Sequence, residues 1–488
     1  MSDEVRTLEP KALWNNFANL NAVPRPSKKE ERVIQFIKDF GEGLGLETNL
    51  DEIGNVIIKK PASPGMENRT TVVLQSHLDM VHQKNASTDF DFESEGIKMW
   101  VDDDWVKADG TTLGADNGIG VASIMTILAS TDMEHPPIEA LFTIDEETGM
   151  TGAKGLKGGL LNASIMLNLD TEEDNELTIG CAGGIDVTAT GSYDQENTPD
   201  GWSAYKLSVK GLNGGHSGME IHLGRGNANK IMNRILLNTA DELGARVVSV
   251  DGGGLRNAIP RESFSEMVID TAKKADLESF INSQNQILKI EYQTTDPDLE
   301  ISAESIDTPS QVLNEEFQGK ILRSIYAAHN GIYRMSPDIE DLVQTSNNVA
   351  RVLIKDGEYS IQCLTRSSVD TEKLDMAKTL QSTFELSGAT VTFDGDYPGW
   401  APKPTSAIVK LMNELYTELF NSEAEVSACH AGLECGILGT NYPDMEMISF
   451  GPTIRGAHSP DERVQISSVQ KYWGFLMETL KRIPEATN

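Results

Sequence analysis

Three short apolar runs in the first part of the chain each end in residues able to bind a metal or move a proton. That pattern constrains the fold more than any other feature. Residues 71–75, with Val72, Val73 and Leu74, lead into Ser76-His77-Leu78-Asp79; residues 138–144 lead into Asp145-Glu146-Glu147-Thr148-Gly149; residues 164–169 end at Asp170. Continuous apolar runs of this length read as strands buried on both faces. In open α/β sheets ligands sit beyond the carboxyl ends of the strands, so the place of His77 matters as much as its type. Between the first two runs, residues 111–120 set Asp116 among Gly114, Gly118 and Gly120. The stretch that follows (Ile119, Val121, Ala122, Ile124, Met125, Ile127, Leu128) is apolar on most sides, as a buried helix is. Asp116 is then either the N-cap of a core helix or a charge stabilised by a partner such as a cation, because unpaired buried charge is costly.

The rest of the chain fits a large α/β protein. Its 488 residues suffice for two or three domains. A capping box at Ser27–Glu30 predicts a helix through Val33, Phe36, Ile37 and Phe40, and a strand is expected over 55–59. The acid-rich segment 85–110 reads as a solvated face. From about 187 to 395 strand-like and helix-like segments alternate, with a hairpin turn at Lys355-Asp356-Gly357-Glu358, as in an inserted α/β domain of two loosely similar halves. Helices are then expected over 406–420 and 468–482, and a strand over 445–450 leads into Gly456-Ala457-His458. The formal charge of −34 argues against nucleic acid or an anionic membrane as partner. Four scattered cysteines point to a reducing compartment. With no apolar leader and no run of 18 apolar residues, a cytoplasmic location is expected.

His77, Asp79, Asp116, Glu146, Glu147, Asp170 and His458 form the candidate set. Two imidazoles with several carboxylates suit zinc, manganese or cobalt. One carboxylate can bridge two ions about 3.5–4 Å apart, and Asp116 on its tight turn is the choice for that bridge. Packing Glu146 and Glu147 unpaired into one pocket is disfavoured, which a division of labour resolves: one binds metal and the other is general base toward the hydrolytic water. Asp79 suits an acceptor that fixes the His77 tautomer.

The segments around His77, Asp116, Glu146–Glu147, Asp170 and His458 together resemble the five signatures of the co-catalytic zinc exopeptidase family. Residues 100–120 and Leu255-Arg-Asn-Ala-Ile-Pro-Arg261 are most similar to its aminoacyl-histidine (Xaa-His) dipeptidase branch. The resemblance implies a phosphorylase/hydrolase-like α/β catalytic domain, a mixed sheet flanked by helices, formed by residues 1–186 and 396–488, with an α/β lid inserted over 187–395. It implies two divalent ions, zinc first and cobalt or manganese as alternatives. One would be held by His77 and Asp170, the other by Glu147 and His458, with Asp116 bridging. Glu146 would be general base, Asp79 would stand behind His77, and the Asp116–Asn117 peptide would be cis. Asp170 stands where relatives can carry Glu. In the lid, His216 of Gly214-Gly215-His216-Ser217-Gly218 would stabilise the oxyanion, Asn257 and Arg366 would hold the substrate carboxylate, and Gly432 would line the pocket. The implied activity is hydrolysis of small dipeptides with free ends, Xaa-His dipeptides such as carnosine included. An aminotripeptidase, an N-acyl amino acid deacylase and a non-catalytic metal or peptide binder are the alternatives. The two-part insert could pair in a homodimer or supply both halves itself.

Overall fold

A computed structural model describes residues 2–486. It divides into two compact units: Met1–Gly180, Pro402–Ala428 and Leu433–Asn488 form the first, Cys181–Ala401 and Cys429–Gly432 the second.

The first unit is built on an eight-stranded mixed sheet. Its order is Glu47–Leu50, Val56–Lys60, Ile138–Thr143, Val72–His77, Ile165–Asn168, Glu446–Ser449, Glu176–Cys181, Glu425–Cys429. The four in the middle run parallel, with Val72 opposite both Ile138 and Ile165, and Glu446 opposite Ile165. Every residue of Val72–His77 and of Ile138–Thr143 is buried, which explains the apolar runs Val72–Leu74 and Ala140–Phe142 within them. Parallel strands point their carboxyl ends the same way, so the loops after His77, Thr143, Asn168 and Ser449 gather at one edge. The helix Ala115–Ala129 is buried nearly all round. Helix Lys11–Leu20 lies against it, with Asn16 Nδ2 donating to Thr126 Oγ1 at 2.9 Å. The Lys60 ammonium reaches the carbonyls of Ile127 (2.7 Å) and Leu128 (3.2 Å) at its far end, where a cation is favoured by the helix dipole.

Two expectations fail here. The Ser27–Glu30 capping box does not form ahead of the helix Glu31–Gly43. Ser27 Oγ donates instead to Asp79 Oδ2 at 2.8 Å, and Glu30 Oε1 accepts from the Lys28 N–H at 2.8 Å. A fully buried carboxylate needs donors more than an accessible helix end does. The segment 85–110 is not a solvated face throughout: Met99–Asp102 and Trp105–Ala108 form a hairpin, which pairs with Arg463–Gln465 and buries Met99 and Val106. The acids Asp91 and Glu93 ahead of it are exposed, as charge alone suggested.

The second unit has a wholly antiparallel sheet of two β-α-β-β-α-β halves. One half uses strands Trp202–Lys210, Arg246–Gly253, Ser263–Asp270 and Glu300–Ile306 with helices Ala228–Leu243 and Lys274–Glu291. The other uses Gly183–Ser192, Val343–Lys355, Glu358–Ser367 and Thr390–Tyr397 with helices Glu315–Ala327 and Asp370–Glu385. Arg246–Gly253 and Val343–Lys355 pair to join them, so one continuous core includes residues from all four helices. The Lys355–Glu358 turn closes its hairpin with Asp356 (φ 55°) and Gly357 (φ 84°), the positive-φ pair that a two-residue turn requires.

Candidate metal centre

The parallel edge assembles the candidate residues of the first unit. Ligand atoms of His77, Asp116 and Asp170 lie within 4.8 Å of one another, as do those of Asp116, Glu147 and His458, and those of His77, Glu146 and Glu147. Asp116 belongs to the first two of these groups. Its Oδ1 is 3.1 Å from His77 Nε2 and its Oδ2 is 3.3 Å from His458 Nε2. His77 Nε2 is also 3.5 Å from Asp170 Oδ1, and His458 Nε2 is 3.0 Å from Glu147 Oε2. The Asp116 carboxylate does not cap the helix, since its two oxygens face the histidines; the residue sits at φ −80°, ψ 111°, two positions after Gly114 in the left-handed region (φ 69°), and the peptide to Asn117 is cis.

Neighbouring groups fix these side chains. His77 Nδ1 faces only acceptors, the Asp79 carbonyl at 3.2 Å and Asp79 Oδ1 at 3.3 Å. Nδ1 therefore carries a proton, and Nε2 is the nitrogen turned to Asp116 and Asp170, the one a metal would take. Asp79, fully buried, also accepts the N–H groups of Glu146 (3.0 Å) and Glu147 (3.3 Å), tying the strand end at His77 to the glutamate loop. Asn117 donates to Asp170 Oδ1 and accepts from Ser76 Oγ at 2.8 Å.

Electrostatics follow from crowding acids at the edge of a core. Burial pulls His77 down, but the Asp170 charge and hydrogen bonding to Asp116, Asp170 and Asp79 hold it well above the usual imidazole value. His458 is pushed up to about 11 by hydrogen bonds to Asp116 and Glu147. Burial raises Asp116, yet its bonds to both imidazoles outweigh that and leave it well below the usual carboxylate range. Glu146 is held well above its ordinary value, by burial first and then by the charges of Asp170, Glu434 and Glu147, against the lowering by His77. Glu147 rises chiefly through burial, and its Oε1 is buried with no hydrogen-bond partner. An orphaned carboxylate oxygen beside two imidazoles and three further acids fits a donor set for divalent cations.

The remaining candidates lie in the second unit. Gly215–His216 pairs with Ala258–Ile259, and Asn257, exposed, accepts the Ser217 N–H at its carbonyl (2.8 Å). His216 Nδ1 accepts the N–H groups of Gly218 (3.1 Å) and Met219 (3.0 Å), so the ring proton is on Nε2. Burial and the Arg366 charge lower its pKa, which keeps the ring neutral. Arg366 is buried, donates from Nη1 to the Tyr397 hydroxyl at 2.8 Å, and has an unpartnered Nε. A Cβ on Gly218 would stand 3.1 Å from His216 Cε1 and 3.2 Å from Arg366 Nε, so this glycine lets the two side chains close on its backbone. Gly432 follows His430, whose Nε2 is 2.8 Å from Ser346 Oγ. Sequence reasoning missed His430 and Tyr397 beside Arg366, and Asn117 beside Asp170. His430, two positions before Gly432, carried the clearest available signal.

The sequence matches the profile of "Peptidase family M20/M25/M40" over residues 73–482. It is 45% identical over 481 residues to the cytosol non-specific dipeptidase of Escherichia coli (strain K12), covering 99% of each chain. The fold superposes on the crystal structure of aminoacylhistidine dipeptidase from Vibrio alginolyticus with a TM-score of 0.96, 44% identity and full coverage of both chains. A tripeptidase from Staphylococcus aureus shares the fold at 17% identity, with a TM-score of 0.56 and 98% and 99% coverage. The chain therefore belongs to peptidase family M20/M25/M40, and it is a metallopeptidase.

Proposed function

We propose that the protein is a cytoplasmic dipeptidase that uses two divalent ions, zinc by preference, to hydrolyse dipeptides with free amino and carboxyl ends, Xaa-His dipeptides among them. The observation that carries this reading is the split of the Asp116 carboxylate, one oxygen toward His77 and the other toward His458. In it His77 and Asp170 hold one ion, Glu147 and His458 the other, and Asp116 bridges. The ions supply Lewis acidity toward the peptide carbonyl and acidify water. Glu146 takes the proton from the attacking water and returns it to the leaving amine nitrogen, while Asp79 keeps His77 in the tautomer that exposes Nε2. In the lid, formed by the inserted residues 187–395, Arg366 binds the free carboxylate with Asn257 beside it. His216 donates from Nε2 to the carbonyl oxygen as charge develops there, and Gly432 lines the pocket. The test is metal analysis with a panel of Xaa-His, other dipeptides, tripeptides and N-acylated analogues, before and after chelation. Preference for the acylated or the longer substrates would overturn the dipeptidase reading.

Two outcomes follow from the site. Arg366→Ala is expected to raise KM for dipeptides by about 10- to 100-fold, the worth of a hydrogen bond to a charged group, and to leave C-terminally amidated analogues nearly unaffected. Steady-state kinetics on matched acid and amide pairs reads this, and an equal loss on both removes the carboxylate role. Metal uptake at neutral pH is expected to release protons, because His458, at about 11, must give up its proton to offer Nε2. Apparent affinity then rises with pH across the neutral range. Titration calorimetry in buffers of different ionisation enthalpy counts the protons, and pH-independent binding without release would contradict it.

A further inference from the structure

Glu462 is 3% exposed and lies four positions beyond His458. Its carboxylate makes no ion pair among the described residues, and both oxygens are committed to backbone. Oε2 accepts the N–H groups of Leu113 (2.7 Å) and Gly114 (2.9 Å), and Oε1 accepts those of Ala115 (2.7 Å) and Asp116 (3.3 Å). The first N–H groups of a helix have no partner within it. An ordinary capping side chain satisfies one or two, whereas Glu462, nearly 350 residues away in sequence, accepts four consecutive N–H groups, two just ahead of the helix Ala115–Ala129 and two at its start.

The opposite face of the same turn is held as well. Arg25 is buried, and its Nη2 donates to the Gly114 carbonyl and to Asn21 Oδ1 (3.0 Å). Its Nη1 donates to the carbonyls of Leu78 and Asp79, both at 3.1 Å. Gly114 thus gives its N–H to Glu462 and its C=O to Arg25, and the turn is gripped from both sides directly ahead of Asp116. The loop that carries His458 is closed by its own contacts: Ser459 N–H to Gly456 O at 3.2 Å, Glu462 N–H to Ser459 O at 3.1 Å, and the pairing of Ile454–Arg455 with Arg463–Gln465. His458 itself sits at φ 63° in that loop. Glu462 therefore ties the backbone of the turn bearing Asp116 to the loop bearing His458, beside the His458–Asp116 side-chain contact itself.

We propose that Glu462 is a positioning residue: by binding four successive N–H groups of the Asp116 turn from the His458 loop, it holds the bridging carboxylate and the His458 imidazole in one register and so sets the metal affinity of the centre. This rests on the two-ion reading given above. Glu462→Gln keeps size and shape, but its amide nitrogen turns a donor toward N–H donors, so the paired acceptance is lost.

The test compares wild type and Glu462→Gln in zinc affinity, by chelator competition, and in melting temperature with and without zinc. The expected result is a zinc affinity about 10- to 100-fold weaker, the usual consequence of losing a group that orients a ligand, with a smaller rise in melting temperature on adding zinc. A purely architectural role lowers both melting temperatures equally and leaves the zinc increment and the affinity unchanged; that result overturns the proposal. Should the variant not fold, hydrogen exchange on the wild-type full chain decides. Protection of the Leu113–Asp116 amides with and without zinc supports the clamp, and free exchange in both states overturns it. Failure of the wild type to bind zinc at all strikes at the two-ion reading instead, so the two failures are distinct.

Discussion

Glu146→Gln is expected to lower kcat by about 10²- to 10⁴-fold, the range for removing a positioned general base, with both ions retained. The Glu146 carboxylate shares a site with His77 and Glu147. Burial and the neighbouring acids hold it well above its ordinary pKa, which makes it a stronger base than a free carboxylate. Gln matches its volume and can still hydrogen-bond, but it cannot accept the proton. The Glu146 N–H bond to Asp79 comes from the backbone and is untouched, so Asp79 and His77 stay aligned. The result is read as kcat together with ions bound per chain. Full turnover at full metal content removes Glu146 as the base.

Asp116→Ala is expected to empty the centre of both ions, with turnover falling below detection. Among the described residues no other carboxylate lies within ion-pair distance of both histidines, one oxygen to each. Without it, the His77–Asp170 pair and the Glu147–His458 pair each lose a donor, and His77 and His458 each lose one of the hydrogen bonds that raise them. Metal analysis after dialysis, with circular dichroism to confirm the fold, measures this. Two tightly held ions in Asp116→Ala would exclude a bridge. The contrast with Glu146→Gln is diagnostic: one variant keeps its ions and loses turnover, the other loses both.

Much of this was legible in the sequence because parallel strands are buried on both faces and announce themselves. Val72–Leu74, Ala140–Phe142 and Ile165–Leu167 are apolar runs buried on both faces, and polar residues gather at their carboxyl ends. Convergence of His77, Asp116, Glu147, Asp170 and His458 follows once those strands run the same way. What escaped depends on contacts distant in sequence. Ser27 read as a cap because its local pattern fits one, and nothing nearby reveals that Asp79 needs its hydroxyl. The hairpin at 99–108 was hidden by its acids: Asp102 and Asp103 surround the turn, while Met99 and Val106 supply the buried side. Glu462 drew no notice in the sequence, since a carboxylate that binds only backbone has no partner residue to betray it.

The place of Glu446–Ser449 in the sheet has a consequence for how the chain is made. It lies between Ile165–Asn168 and Glu176–Cys181, strands that are close in sequence. A ribosome must therefore deliver more than 250 further residues before the gap between them is filled. Until then the nascent chain has His77, Asp116, Glu147 and Asp170, but neither His458 nor Glu462. A chain terminated before Glu446 thus lacks both the strand that fills the sheet and two residues of the proposed centre.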